Sequence, residues 1–207
     1  MKTKNSILLA LALTLISTSA FSQIGFGLHN GVTVSTFAPK GDLLDNSNVT
    51  FSYTIGAFST LPFSNSFAVQ PEINYVRKGR NEETYELNTT VKTDYKIDYL
   101  QVPVLFQYRD NLKNEGALFY IEAGPYAGFA LNNLTQPSKG NDSGLTVPAP
   151  DEKKTDWGAA FGIGFEAPVW QQALRFNLRY NMGLGEIAGQ PADYRTKALS
   201  LTVGIAF

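Results

Sequence analysis

The chain has 207 residues, 17 basic against 18 acidic, with one histidine, no cysteine and 13% aromatic residues. Near-neutrality offers no basic surface for nucleic acid, and the lack of cysteine excludes disulfides, thiolate metal sites, thiol nucleophiles and a lipid-modified N-terminal cysteine. A single histidine excludes a His-rich metal centre or a paired-histidine acid–base site.

Lys2 and Lys4 precede an apolar run at residues 7–16, and small residues at Ala20 and Ser22 follow it. That order predicts a secretory signal peptide over 1–22, cut before Gln23. The run falls short of the roughly 20 residues a spanning helix needs. The remaining 23–207 is expected to form one domain, with 15 basic against 18 acidic residues.

From Gln23 onward the apolar pattern has period two, the signature of strands with two different faces. Ile24, Phe26, Leu28, Val32 and Val34 alternate with small or polar residues, then Phe51, Tyr53, Ile55 and Ala57, then Phe67, Val69, Ile73 and Tyr75. Leu100, Val102, Val104, Phe106 and Tyr108 come next, followed by Phe119, Ile121, Ala123, Ala127 and Phe129. Three further runs are Trp157 to Phe165, Leu174 to Tyr180, and Leu199, Leu201, Val203, Ile205 and Phe207. These are about eight strands, each near the length a tilted membrane strand requires. Asn30 is an exception on the apolar face of the first strand.

The connections alternate in length. Tight ones are expected at 62–66, 110–116 and 168–172, and long polar ones at 38–48, 78–94, 132–154 and 183–195. A soluble sandwich has no reason to send every second connection to one end as a long loop. A transmembrane barrel does, with short periplasmic turns and long external loops.

One face of each strand carries Gly, Ser, Thr, Asn, Gln, Glu and Arg, while the other is apolar. A soluble lipocalin-like barrel would show the reverse sense, apolar inside and polar outside. Aromatics gather near strand ends, at Phe63, Phe67, Tyr108, Phe119, Trp170 and Phe207 on one rim and Phe37, Phe51, Tyr75, Phe129, Trp157 and Tyr180 on the other. Two girdles at headgroup level are expected of such barrels. The fold class is therefore all-β: an eight-stranded antiparallel transmembrane barrel of the outer membrane, an up-and-down meander with both termini periplasmic. A soluble secreted β-sandwich is the alternative.

Three segments carry a resemblance: Val69-Gln70-Pro71-Glu72-Ile73-Asn74-Tyr75 with Arg77-Lys78-Gly79, then Asp98-Tyr99-Leu100-Gln101-Val102-Pro103-Val104, then Ala123-Gly124-Pro125-Tyr126. With the closing Arg179-Tyr180-Asn181-Met182-Gly183-Leu184 and the terminal aromatic, they resemble the PorT-like outer-membrane β-barrel family. The resemblance implies residence in the outer membrane and insertion by the barrel assembly machinery. Leu201, Val203, Ile205 and Phe207 would then look like the C-terminal assembly signal. It implies lipid contact and admits secretion-system or surface proteins as partners, without one fixed activity.

An eight-stranded barrel is filled by its own side chains. The inward positions supply Glu72, Glu122, Glu166, Arg175 and Arg179, with Gln70, Gln101, Asn177 and Asn181. Glu166 and Arg175 are symmetric about the turn near Trp170 and should face each other. The expectation is a lumen ionic network, three carboxylates neutralised by two arginines and amides, since lone buried charges are costly.

Other chemistry is weaker. Glu122 and Glu166 could serve as a glycosidase-type pair, but a filled barrel offers no cleft for sugar. His29 points inward and would need a Ser or Asp neighbour to act in a membrane-embedded lipid-modifying enzyme. Gly162-Ile163-Gly164-Phe165-Glu166-Ala167 matches a dinucleotide pattern formally, but that pattern must open a helix, and here it lies in a strand before Pro168. Asp142, Asp151 and Glu152 lack calcium-loop spacing and read as a solvated loop. No catalytic residue, cofactor or metal ligand is expected. The function expected is a structural or interaction barrel with a plugged lumen, with a narrow pore or small-ligand transporter as the alternative.

Overall fold

The computed structural model describes residues 24–39, 49–86, 89–112, 116–131, 138–139, 155–185 and 194–207. The signal peptide expected at 1–22 and the loop acids Asp142, Asp151 and Glu152 lie outside the described residues. Among the described residues, eight long strands run as an antiparallel meander. They are β1 (Gly25–Pro39), β2 (Thr50–Pro62), β3 (Phe67–Glu86), β4 (Thr89–Asn111), β5 (Leu118–Ala130), β7 (Thr155–Val169), β8 (Gln172–Gly183) and β9 (Tyr194–Ala206). The two-residue β6 (Ser138–Lys139) pairs with Lys92 and Thr93 on the outer part of β4 and is not a stave of the wall.

The last strand returns to the first, from Gly27↔Ala206 to Pro39↔Tyr194, and closes the sheet into an eight-stranded barrel. Closure pairs the backbone of the staves and leaves no sheet edge facing hydrocarbon. The usual burial pattern is inverted: Phe51 is 77% exposed on the outer face, whereas Gln70 inside is 1% exposed. Asn30 stays in phase within a continuous β1 and faces outward, with Ile55 and Val203 as its cross-strand partners.

The stretch expected as a long loop at 78–94 is largely strand. β3 and β4 continue as a paired hairpin from Arg77↔Asp98 to Glu86↔Thr89. The sequence there lacks apolar alternation, because neither face of the hairpin has to meet lipid. Prolines mark the opposite irregularity, inside the wall. Pairing skips from Phe58↔Glu72 to Leu61↔Val69 at Pro71 and from Pro71↔Val104 to Asn74↔Gln101 at Pro103. It skips again from Pro103↔Tyr126 to Phe106↔Ala123 at Pro125. Each proline lacks the N–H that the rung needs, yet register is unchanged across all three gaps.

Candidate functional site: the barrel lumen

Toward the short turns, alternation on five staves aims polar side chains at one another. Arg179 of β8 forks onto Glu72 of β3, with Nη1 donating to Oε2 at 2.6 Å and Nη2 to Oε1 at 2.8 Å. Its Nε donates to Glu122 of β5 at 2.8 Å. One guanidinium thus grips one carboxylate with a two-pronged fork and still reaches a second, a geometry that a compact ammonium does not reproduce. Glu166 and Arg175 are cross-strand partners in the β7–β8 hairpin. Arg175 Nε donates to Glu166 Oε1 at 2.8 Å, and its Nη2 makes a still shorter contact with the same oxygen.

Carboxamides tie the pairs together. Gln70 accepts from Arg175 Nη1 at 2.5 Å and donates to Glu72 at 2.5 Å. Gln107 donates to Glu122 at 2.9 Å, Asn177 to Glu122 at 3.0 Å, and Asn74 to Glu72 at 2.8 Å. The Arg175 guanidinium also lies over the Phe58 and Tyr120 rings, 4.3 and 4.6 Å from their centroids. The structure therefore brings Glu72, Glu122, Glu166, Arg175 and Arg179 into one network.

The charge balance differs from the expected three carboxylates against two arginines. Arg109 of β4 joins, with Nη2 donating to Glu166 Oε2 at 2.8 Å. Three carboxylates meet three guanidinium groups, so the cluster is formally neutral. Apolar alternation on this strand ends at Tyr108, so periodicity alone does not reach Arg109. β4 runs on to Asn111, and Arg109 keeps the inward parity of Gln107.

A second buried cluster lies toward the long loops and was not anticipated. Lys78 of β3 is fully buried and donates to Asp156 Oδ2 of β7 at 2.7 Å. Thr196 Oγ1 donates to the other Asp156 oxygen at 2.9 Å, and the Tyr126 hydroxyl lies 3.4 Å from Oδ2. The Lys78 ammonium sits 4.8 Å from the Tyr126 ring centroid and 5.6 Å from that of Tyr99. Lys78 continues the inward parity of Glu72, Asn74 and Val76, but it falls in the polar stretch 78–94, where apolar alternation is absent.

His29 does point inward. It hydrogen-bonds the Asn74 carboxamide oxygen through Nε2 at 2.9 Å and stacks on Phe58 at 5.8 Å. Gly162 and Gly164 lie in β7, where a Cβ would run into the side chains of Glu122 and Tyr120. Their role is room for the lumen rather than a nucleotide loop. On the last strand Leu201, Val203 and Ile205 all face outward, and the Phe207 amide donates to Phe26 at 2.7 Å.

At the rims, Phe63 stacks on Phe67 at 6.1 Å and Tyr108 meets Phe67 edge-on at 5.4 Å. On the opposite rim Tyr53 stacks on Tyr75 at 5.7 Å beneath the Arg77 guanidinium, which pairs with Asp98 at 2.6 Å. The Phe37 side chain lies outside the description.

A closed barrel with an apolar wall, aromatic rims and a charged, filled interior is the architecture of small outer-membrane proteins. The profile of the family described as "Outer membrane protein beta-barrel domain" matches residues 17–189. The chain belongs to that family. Its place is the bacterial outer membrane.

The chain is similar to several solved structures. Neisserial surface protein A is 11% identical with a TM-score of 0.50, covering 87% of this chain and 95% of that one. Ail, the attachment invasion locus protein of Yersinia pestis, is 14% identical with a TM-score of 0.42, covering 89% and 99%. Outer Membrane Protein W of E. coli is 16% identical with a TM-score of 0.43, covering 88% and 97%. Comparison with curated protein sequences finds no match.

Proposed function

We propose that this chain is a sealed, non-enzymatic outer-membrane barrel that acts through its external surface. The observation that carries the reading is the lumen itself. Two buried ion clusters, one formally neutral and one a Lys–Asp pair, occupy successive heights of an eight-stranded barrel. An ion path would have to break these pairs, and stripping a partner from a buried charge costs several kcal/mol. What remains available for function is the outer wall and the projecting segments.

The tallest described projection is the β3–β4 hairpin. From the rim pair Arg77↔Asp98 to Glu86↔Thr89 it extends about 30 Å, at roughly 3.4 Å per residue. A polar, paired ribbon of that length is suited to contact surface proteins or components of a secretion system, a role that also fits the PorT-like resemblance. Export by the 1–22 signal peptide and insertion by the assembly machinery, through Leu201, Val203, Ile205 and Phe207, complete the reading.

Bilayer recording on the refolded full-length barrel tests the seal. No steady conductance is expected, and reproducible single-channel steps would replace this reading with the narrow pore. Trypsin added to intact cells is expected to cut the hairpin at Arg80 or Lys92. Cleavage only after the membrane is permeabilised would place the hairpin on the wrong side.

A further inference from the structure

Among the described residues, three buried side-chain atoms have no hydrogen-bond partner: Gln101 Nε2, Gln107 Oε1 and Arg109 Nε. All three belong to the lumen face of β4. Only Gln101 borders the small internal cavity of about 10 Å³ between the two ion clusters, whose lining also includes His29, Asn181, Ser200 and Thr202. Gln101 is 2% exposed. An amide donor held there without an acceptor would carry its full desolvation penalty, which native interiors avoid.

We propose that this cavity is a binding site for one ordered water, which accepts from Gln101 Nε2 and bridges to side chains on the far wall. Three properties select water. The volume is about one probe sphere, the lower limit for a single water and too little for a hydrated ion. The neighbouring Glu/Arg network is already balanced, so an added ion would leave a net buried charge. The lining offers both donors and acceptors, and water satisfies either end of a carboxamide.

The site also has a mechanical sense. Around the barrel β9 lies four strands from β4 in either direction, so Gln101 and the β9 residues Ser200 and Thr202 stand on opposite walls. Direct hydrogen bonds span the lumen in the Glu/Arg cluster, as from Arg179 to Glu72, but none that the structure shows reaches from Gln101. A single water would make that link at mid-height. His29 shares the cavity. Asn74 Nδ2 is committed to Glu72, so Asn74 presents its oxygen to His29 Nε2. A neutral His29 therefore carries its proton on Nε2 and keeps Nδ1 as an acceptor.

Two measurements on the full-length barrel test the site. A crystal structure of the wild type at high resolution is expected to show one density peak within hydrogen-bond reach of Gln101 Nε2 and of a residue on β8 or β9. An empty cavity, or a peak with the coordination of a metal ion, overturns the proposal. Gln101→Met is then compared with the wild type by urea unfolding. If a water satisfies the amide, the substitution removes a bridge and the midpoint falls. If the amide is dry, removing it relieves an unpaired donor, the midpoint rises, and the proposal fails. Should Gln101→Met not refold, the density at the wild-type cavity still decides.

Discussion

Toward the short turns, Arg179 is shared by Glu72 and Glu122, Arg175 and Arg109 share Glu166, and Gln70 links the two groups. Toward the long loops, Lys78 faces the single carboxylate of Asp156, with two tyrosine rings and a threonine hydroxyl around the pair. The first arrangement is a network in which each ion has several dependants. The second is a separable couple. Guanidinium suits the network because its planar fork presents five donors, whereas ammonium is a compact point charge. Connectivity, rather than the number of buried charges, should therefore decide how much each end of the lumen contributes to stability.

The largest effect is expected from Arg179→Met. It strands both Glu72 and Glu122 without their principal cation, and removing one partner of a buried pair costs about 3–5 kcal/mol. The expected outcome is a large fall in the urea midpoint of the refolded barrel, or failure to refold. Arg179→Lys should recover only part of the loss, since one ammonium cannot fork onto two carboxylates. An Arg179→Met barrel that unfolds with the wild type would refute the network.

Lys78→Met sharpens the contrast from the other end. Asp156 keeps the Thr196 hydroxyl and its contact with Tyr126, so the loss should be smaller, toward the lower end of the roughly 3–5 kcal/mol that breaking a buried pair costs. Because the couple is one-to-one, removing both ions together should bring stability back toward the wild type, as replacing buried pairs by apolar residues often does. Thermal unfolding of Lys78→Met alone and combined with Asp156→Leu measures this. A double variant less stable than the single one would mean that the couple is tied into the rest of the lumen and is not separable.

The contrast also explains what the sequence made legible. Inside the membrane, lipid on one side and lumen on the other impose strict alternation, so Glu72, Glu122, Glu166, Arg175 and Arg179 could be assigned to one face from parity alone. The alternation survives even where Pro71, Pro103 and Pro125 remove rungs, because side-chain direction depends on backbone pleat and not on every hydrogen bond. Beyond the lipid neither face has to be apolar and the signal vanishes. Lys78 and the ribbon to Glu86 therefore read as loop although they are strand, and the Lys78–Asp156 couple was hidden with them. Arg109 was lost at the other boundary, where an expected turn cut short a strand that continues. Asn30 shows the limit in the other direction, since its outward placement follows from parity but its purpose does not.

The smallest expected effect comes from the turn that joins the two sides of the Glu166–Arg175 pair. Trp170 occupies a two-residue hairpin turn with φ of 58°, a left-handed conformation that favours glycine, and the residue is fully exposed. Relieving such a conformation is worth on the order of 1 kcal/mol, partly offset by the greater freedom of glycine in the unfolded chain. If the ion network rather than the turn fixes the β7–β8 hairpin, Trp170→Gly should unfold in detergent within about 1 kcal/mol of the wild type, shifted upward if at all. In bilayers the same substitution removes an indole from headgroup level, where such rings are favoured, so any gain should shrink or reverse. A marked loss of stability in detergent would instead show that the turn, and not the salt bridge above it, holds the hairpin in register.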